Sequence, residues 1–133
     1  MQSIRRLGDG YEPHVDQCGD LLTYSLPVDS GFVSFSFSFD ICLADLNILL
    51  TDVHRRAVLE VIAHTLLQYS TLQGKARFTQ SDFDSLIANT LHSTNDALQY
   101  LITQVGREHN IAVERYVEDI VNRRLNSATT NTD

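Results

Sequence analysis

Five histidines (His14, His54, His64, His92 and His109) are the side chains of this 133-residue chain best suited to proton transfer or metal binding. None stands in an H-E-x-x-H arrangement, and no His/Cys pair has the spacing of a zinc site. His64 follows Glu60 by one helical turn and Arg56 by two, opposite an apolar stripe, so the three read as a solvated surface ladder. His54 stands beside Asp52 at a helix start, where a carboxylate partner and helix-end polarity explain it equally well. His14, His92 and His109 fall in loops or helix ends with no partner nearby in sequence. Asp82 and Asp84 are two residues apart, which on a helix turns them about 200° from each other and keeps them from sharing one ion. The glycines of Leu7-Gly8-Asp9-Gly10 lead into no G-K-[ST] helix, so no phosphate cradle forms. Serines abound, but none sits in a nucleophile elbow. Cys18 and Cys42 are too far apart for a C-x-x-C redox pair and too few for a disulfide framework; both read as reduced thiols, Cys42 in the core. These residues predict no catalytic site, no metal and no cofactor. A hydrolytic centre would need Asp52, His54 and Glu60 to converge.

Charge is the more informative pattern. The formal net charge is −7, which disfavours a nucleic-acid binder because counterion displacement needs a basic surface. Residues 1–54 hold eight acids against Arg5 and Arg6, whereas residues 55–133 are nearly balanced. Between Leu7 and His54 there is no lysine or arginine, while Asp9, Glu12, Asp16, Asp20, Asp29, Asp40, Asp45 and Asp52 accumulate. On a later helical stretch Glu114 and Glu118 sit four apart, a like-charge pair that costs a few tenths of a kcal/mol. Uncompensated carboxylates of this kind suit a basic protein partner, whose approach they would speed and orient.

Something must position these acids. Val33, Phe35, Phe37, Phe39 and Ile41 alternate with Ser34, Ser36, Ser38 and Asp40, the period of two that marks a strand with one apolar face. Leu21–Leu26 reads as its partner, ended by Pro27, with Asp29-Ser30-Gly31 as the turn. From Ala44 the period becomes helical: a short helix to Leu50, then a long one over about Val53–Tyr69 capped at Thr51-Asp52. Thr79 with Asp82 resembles a capping box, flanked by Phe78 and Phe83 as a hydrophobic staple. A further cap at Ser93 opens a helix stopped at Gly106, and Asn110 caps a last one whose Val113, Tyr116, Val117, Ile120 and Val121 face the core. The predicted fold is α+β: an N-terminal antiparallel β-hairpin packed on a bundle of about four to five α-helices. One globular domain spans 1–125, with 1–20 mostly loop and one short edge strand at most, 21–43 the hairpin and 44–125 helical; 126–133 is a disordered polar tail. No apolar run approaches the ~18–20 residues that span a bilayer. Met1–Asp16 has no apolar stretch after its arginines, so it is no secretory signal, and a cytoplasmic location is expected.

An acidic α+β chain of this size, with GFVSFSFSFDICLADLNILL running into HRRAVLEVIAHTLLQ (Gly31 to Gln68), resembles the immunity proteins of bacterial contact-dependent growth inhibition and related polymorphic toxin systems. The resemblance is one of class, across most of the chain, and rests on no catalytic motif. It implies a cytoplasmic partner of one cognate toxin domain, commonly a basic nuclease, neutralised by occlusion of its active site or substrate-binding surface. Combined with the charge layout, the expected partner-binding residues are Asp16, Asp20, Asp29 and Asp40, with Glu114 and Glu118 as second candidates. The competing reading is a generic helical adaptor or regulatory subunit that binds through an exposed helix face.

Overall fold

Alternation in the first third builds more sheet than the hairpin expected from it. The computed structural model describes residues 2–10, 12–30, 33–72 and 74–130. Four antiparallel strands run β1 (Ile4–Leu7), β2 (His14–Cys18), β3 (Leu21–Ser30) and β4 (Val33–Ile41), in that spatial order. Two of them fall where loop was expected, because strands of four and five residues are too short to display a period. Gly19, at φ 62°, is the first of two residues turning β2 into β3, a position that suits glycine in a two-residue hairpin. The turn expected at Gly31 lies outside the described residues.

Pro27 does not end β3, which continues to Ser30. Ladder geometry explains why. The β3–β4 register runs without a shift, with Thr23 opposite Asp40 and Pro27 opposite Ser36. Both backbone groups of Asp40 bond outward to the Gln80 amide, so this row is not hydrogen-bonded between β3 and β4. The same holds two and four residues along. Pro27 therefore directs its missing N–H toward β2, which has already ended at the Ser25 row. Gln68 donates to the Asp29 carbonyl on that same side, at 2.9 Å.

Five helices follow: α1 (Leu43–Thr51), α2 (Val53–Ser70), α3 (Gln80–Leu91), α4 (Asn95–His109) and α5 (Val113–Thr130). Asp52 caps α2 by accepting from the Arg55 backbone N–H, and Thr79 with Asp82 forms the expected capping box of α3. Thr94, not Ser93, caps α4; Ser93 instead donates back to the Asn89 carbonyl. Asn110 does not cap α5. It ends α4 in the left-handed conformation, φ 54°, so α4 runs past Gly106 to His109. α5 extends to Thr130, into the stretch expected to be a tail, and residues 131–133 lie outside the described residues.

One face of the sheet carries the core. Val15, Leu22, Tyr24, Leu26, Val28 and Phe39 are buried there against α2, in which every residue from Ala57 to Ala63 is buried. A helix covered on all sides is the centre of its domain. At the α3 end of the sheet, Phe39 stacks on Phe83 with centroids 4.4 Å apart, Phe78 meets Phe39 edge-on, and Tyr24 also contacts Phe83. The staple residues thus clamp the aromatic strand. The clamp does not reach its far end: Phe35 is 38% exposed and Val33 54%, against the expectation that all five apolar residues are covered. Two other expected core positions lie at the surface. Tyr116 is exposed, and Cys42 precedes α1 as an exposed cap whose N–H donates to Asp45. Phe83→Ala would empty the clamp and is expected to destabilise the fold by about 3–5 kcal/mol in urea unfolding, with secondary structure retained below the midpoint.

Candidate functional site

Opposite strand partners share a face, so the register sorts the acids. Arg5 pairs with Asp16, Asp16 with Thr23, and Thr23 with Asp40, one row across all four strands. That row lies on the face opposite Val15, Tyr24 and Phe39. Ser25 with Ser38, Pro27 with Ser36, and Asp29 with Ser34 continue it along β3 and β4. Asp29, Ser34, Ser36, Ser38 and Asp40 are exposed on it, Asp16, Thr23 and Pro27 are half-buried, and Ser25 is buried. Three of the expected binding acids, Asp16, Asp29 and Asp40, therefore share one face of the sheet, Asp29 and Asp40 exposed and Asp16 half-buried. Asp20 stands in the β2–β3 turn, at the end of the sheet near Asp16 and Asp40. Glu114 and Glu118 do not join them. They are exposed on α5, in the helical layer on the other side of the sheet, where the Gln99 amide donates to Glu114.

The acids of the open face are held in place. Asp16 accepts from Arg5 Nε at 2.8 Å, with His14 at 3.5 Å, and Asp29 accepts from the Ser34 hydroxyl at 2.6 Å. Ser25 and Ser38 hydroxyls bond across the strands at 2.9 Å. Asp40 has its backbone, not its carboxylate, engaged by Gln80.

A second charged constellation lies in the helical layer, where a solvated ladder was expected. Glu60 is buried at 6% exposure and accepts from Arg124 of α5 at 2.5 Å; Arg124 also bonds Glu12 of the β1–β2 loop at 2.9 Å. Arg56 lies 3.8 Å from Glu60. Gly8 shapes the loop: at φ 89° it passes so close to Pro13 that a β-carbon would fall 2.4 Å from the carbonyl. Burial pushes the Glu60 carboxyl up, against the lowering pull of Arg124 and Arg56. Partial burial also works upward on Glu12, but the Asp9 backbone N–H and Arg124 hold it below the usual carboxylate range. Tyr24 hydroxyl, Arg56 Nε and one terminal nitrogen of Arg124 are buried with no hydrogen-bond partner among the described residues, and burial with the nearby Glu60 charge raises the Tyr24 phenol far up. The cluster borders an open cleft of about 1290 Å³ that His64 and Gln68 also line. Its two carboxylates and two guanidiniums neutralise one another, which makes it a tie between α2, α5 and the loop rather than a free charge for a ligand.

Other sequence expectations find different partners. His92 bonds Asp45 at 2.7 Å across 47 residues, and the His109 ring meets Tyr69 edge-on. Asp52 is turned to Arg55 and Glu60 to Arg124, so these two carboxylates are committed to different partners. Among the described residues no three His, Cys, Asp or Glu side chains converge on a metal-sized point, and no helix is long and apolar enough to cross a membrane. Arg124 and Glu12 were invisible in sequence, lying 112 residues apart. Glu60 did carry a signal, as a carboxylate inside the apolar run Val58–Ala63.

No family model matches this chain, and neither does any curated protein or solved structure.

Two predictions follow from the buried cluster. Arg124→Met would strand Glu60 without its closest counter-charge and is expected to cost about 3 kcal/mol in urea unfolding. The pH response separates the two carboxylates. Glu60 is raised in the fold, so its contribution is fully present below its unfolded pKa and is lost as pH rises through the folded pKa. Glu12 is depressed, so its contribution is present above its unfolded pKa and is lost as pH falls through the folded one. Glu60→Gln removes only the first. Relative to that variant, wild type should gain stability as pH drops from ~7 to ~5; a flat or opposite difference would contradict the assignment.

Proposed function

We propose that this chain is an immunity-type binding module that neutralises a basic toxin domain, using the open sheet face as its acidic contact surface. The observation that supports the reading is the register: Asp16, Asp29 and Asp40 share one face of the sheet, on which Arg5 and His14, both beside Asp16, are the basic side chains. Asp16 and Asp40 lie two strands apart in one row, about 10 Å, and Asp29 lies roughly 20 Å along the strand from that row. Asp20 extends the acidic end. Carboxylates on a paired sheet lose little freedom when a partner docks, so the ordering penalty of binding is small.

A nuclease groove that receives phosphates presents arginines and lysines at its floor. Carboxylates entering it would satisfy that charge without offering a scissile bond. An arginine from the toxin would compete with Arg5 for Asp16, exchanging one charge-assisted pair for another. The serines between the acids accept and donate hydrogen bonds and add no opposing charge. On this reading the protein meets its toxin in the cytoplasm, needs no cofactor, and performs no chemistry itself.

The test is genetic and then biophysical. Expression of the C-terminal domain encoded by the reading frame immediately upstream is expected to arrest growth, and co-expression of this chain to restore it. Asp16→Lys combined with Asp40→Lys should weaken the complex by about tenfold or more and flatten its salt dependence. Glu114→Lys with Glu118→Lys, on the opposite side of the sheet, should change neither. Rescue that survives the first pair, or fails with the second, would sink the acidic-face mechanism. An upstream domain without toxicity would remove the immunity reading itself.

A further inference from the structure

The sheet has two edges, and they are treated differently. β1 is four residues long and carries Arg5 and Arg6, the short and charged edge that discourages strand addition. β4 is nine residues long, runs against β3 without a bulge, and has no lysine, arginine or proline. Along it, Asp40, Ser38, Ser36 and Ser34 direct their backbone N–H and C=O groups away from β3. The parity follows from Asp40, whose N–H donates to Gln80 Oε1 and whose carbonyl accepts from Gln80 Nε2, both at 2.9 Å. Gln80 seals that one position. Among the described residues, the outward groups of Ser34, Ser36 and Ser38 have no partner.

From this edge we infer that the chain self-associates, β4 pairing antiparallel with β4 of a second copy about a dyad at Ser36. The open segment is self-complementary in every respect that pairing tests. With Ser36 opposite Ser36 of the other copy, Ser34 meets Ser38, and all three outward-facing residues fall into hydrogen-bonded pairs, up to about six new backbone bonds. On the core side of the sheet Phe35 meets Phe37 of the other copy. Phe35 is 38% exposed, its ring centroid is 6.2 Å from that of Phe37, and Val33 beside it is 54% exposed. The dyad would join the exposed Phe35 and the half-buried Phe37 of each copy into a cluster of four rings. On the other face, serine meets serine. A register shifted by two residues toward Ile41 would need the groups of Asp40 that Gln80 already holds, so the seal selects the register.

Charge permits the same arrangement. Val33–Phe39 contains no ionisable side chain. The two copies of Asp40 would stand about 27 Å apart along the paired strands, beyond the ~8–10 Å over which exposed charges act at ordinary ionic strength. An edge this short buries less than the ~1,200 Å² of a standard stable interface. The dimer is therefore reversible and concentration-dependent, an eight-stranded sheet whose two acidic faces are continuous.

Sedimentation equilibrium on the full chain, from ~1 μM to ~1 mM, reads the association directly. Wild type is expected to shift reversibly from monomer to dimer. Ser36→Pro removes the outward N–H at the dyad, and Ser36→Lys places two like charges there without touching the backbone; each should weaken association by at least about tenfold with circular dichroism unchanged. In a Cys18→Ser, Cys42→Ser background, Ser36→Cys should oxidise to a covalent dimer, because a hydrogen-bonded antiparallel pair sets the two α-carbons about 5.5 Å apart. Ser34→Cys should cross-link with Ser38→Cys and not with itself. A wild type that stays monomeric throughout, a dimer indifferent to both Ser36 substitutions, or cross-linking with the wrong pairing would overturn the inference. No toxin enters these measurements, so their outcome is separate from that of the immunity reading.

Discussion

The carboxylate of Glu60 is the point where the parts of this molecule meet. It projects from the helix that every other layer packs against, and it is buried, so it demands a closer counter-charge than Arg56, 3.8 Å away on the same helix, supplies. Arg124 reaches it from α5, and the same guanidinium binds Glu12 in the loop that joins the first two strands. One bonded relay thus fastens the last helix and the first hairpin to the central helix. The first loop and the last helix are tied to the central helix through one half-buried cation, Arg124. Apolar packing alone could have held α5 in several rotational settings; a buried Glu60 that must be met by Arg124 tolerates very few, because misplacing the arginine leaves that carboxylate without solvent or its closest partner.

The sheet is governed by a different constraint. The core packs on one face, and side chains alternate, so each residue of β3 and β4 is assigned to one face or the other by parity. The same alternation governs the backbone, sending every second peptide group of β4 outward. Three separate features descend from this one rule: the aromatic clamp of Phe39 under Phe78 and Phe83, the acidic surface of Asp16, Asp29 and Asp40, and the unpaired serine edge. Gln80 belongs to two of them at once. It opens α3, whose Phe83 fills the clamp, and its amide seals the edge at Asp40. The clamp stops at Phe39 because α3 crosses only that end of the strand, which is why Phe35 and Val33 remain at the surface beside the open edge.

What could be read from the residues was whatever depends on neighbours in sequence. The strand at Val33–Ile41, the capping box at Thr79 and Asp82, the cap at Asp52 and the stripe of α2 are set by contacts within a few positions, and these stand in the structure. The α+β class follows from them. Legibility failed where the deciding contact was remote or where two local readings competed. Asn110 suits an N-cap and a left-handed C-cap alike, and the course of α4 beyond Gly106 chose the second. Pro27 ordinarily ends a strand; it does not here, because the side it faces has no strand left to pair. Cys42, apolar by type, is exposed because it sits at a helix entrance rather than inside a layer.

The acids show the division most clearly. By itself the chain determined that its first third is rich in carboxylates with no lysine or arginine from residue 8 to residue 53, since charge is a property of composition. Only the register of four strands decided that Asp16, Asp29 and Asp40 share a face, and only the layering of helices on the other side left that face open. Glu60 is the converse. Its sequence neighbours place it opposite the stripe of α2, as a surface residue, yet a helix and a loop from the two ends of the chain close over it. Local periodicity reports which side of an element is apolar; it carries no information about what a residue more than a hundred positions away will bring to the other side.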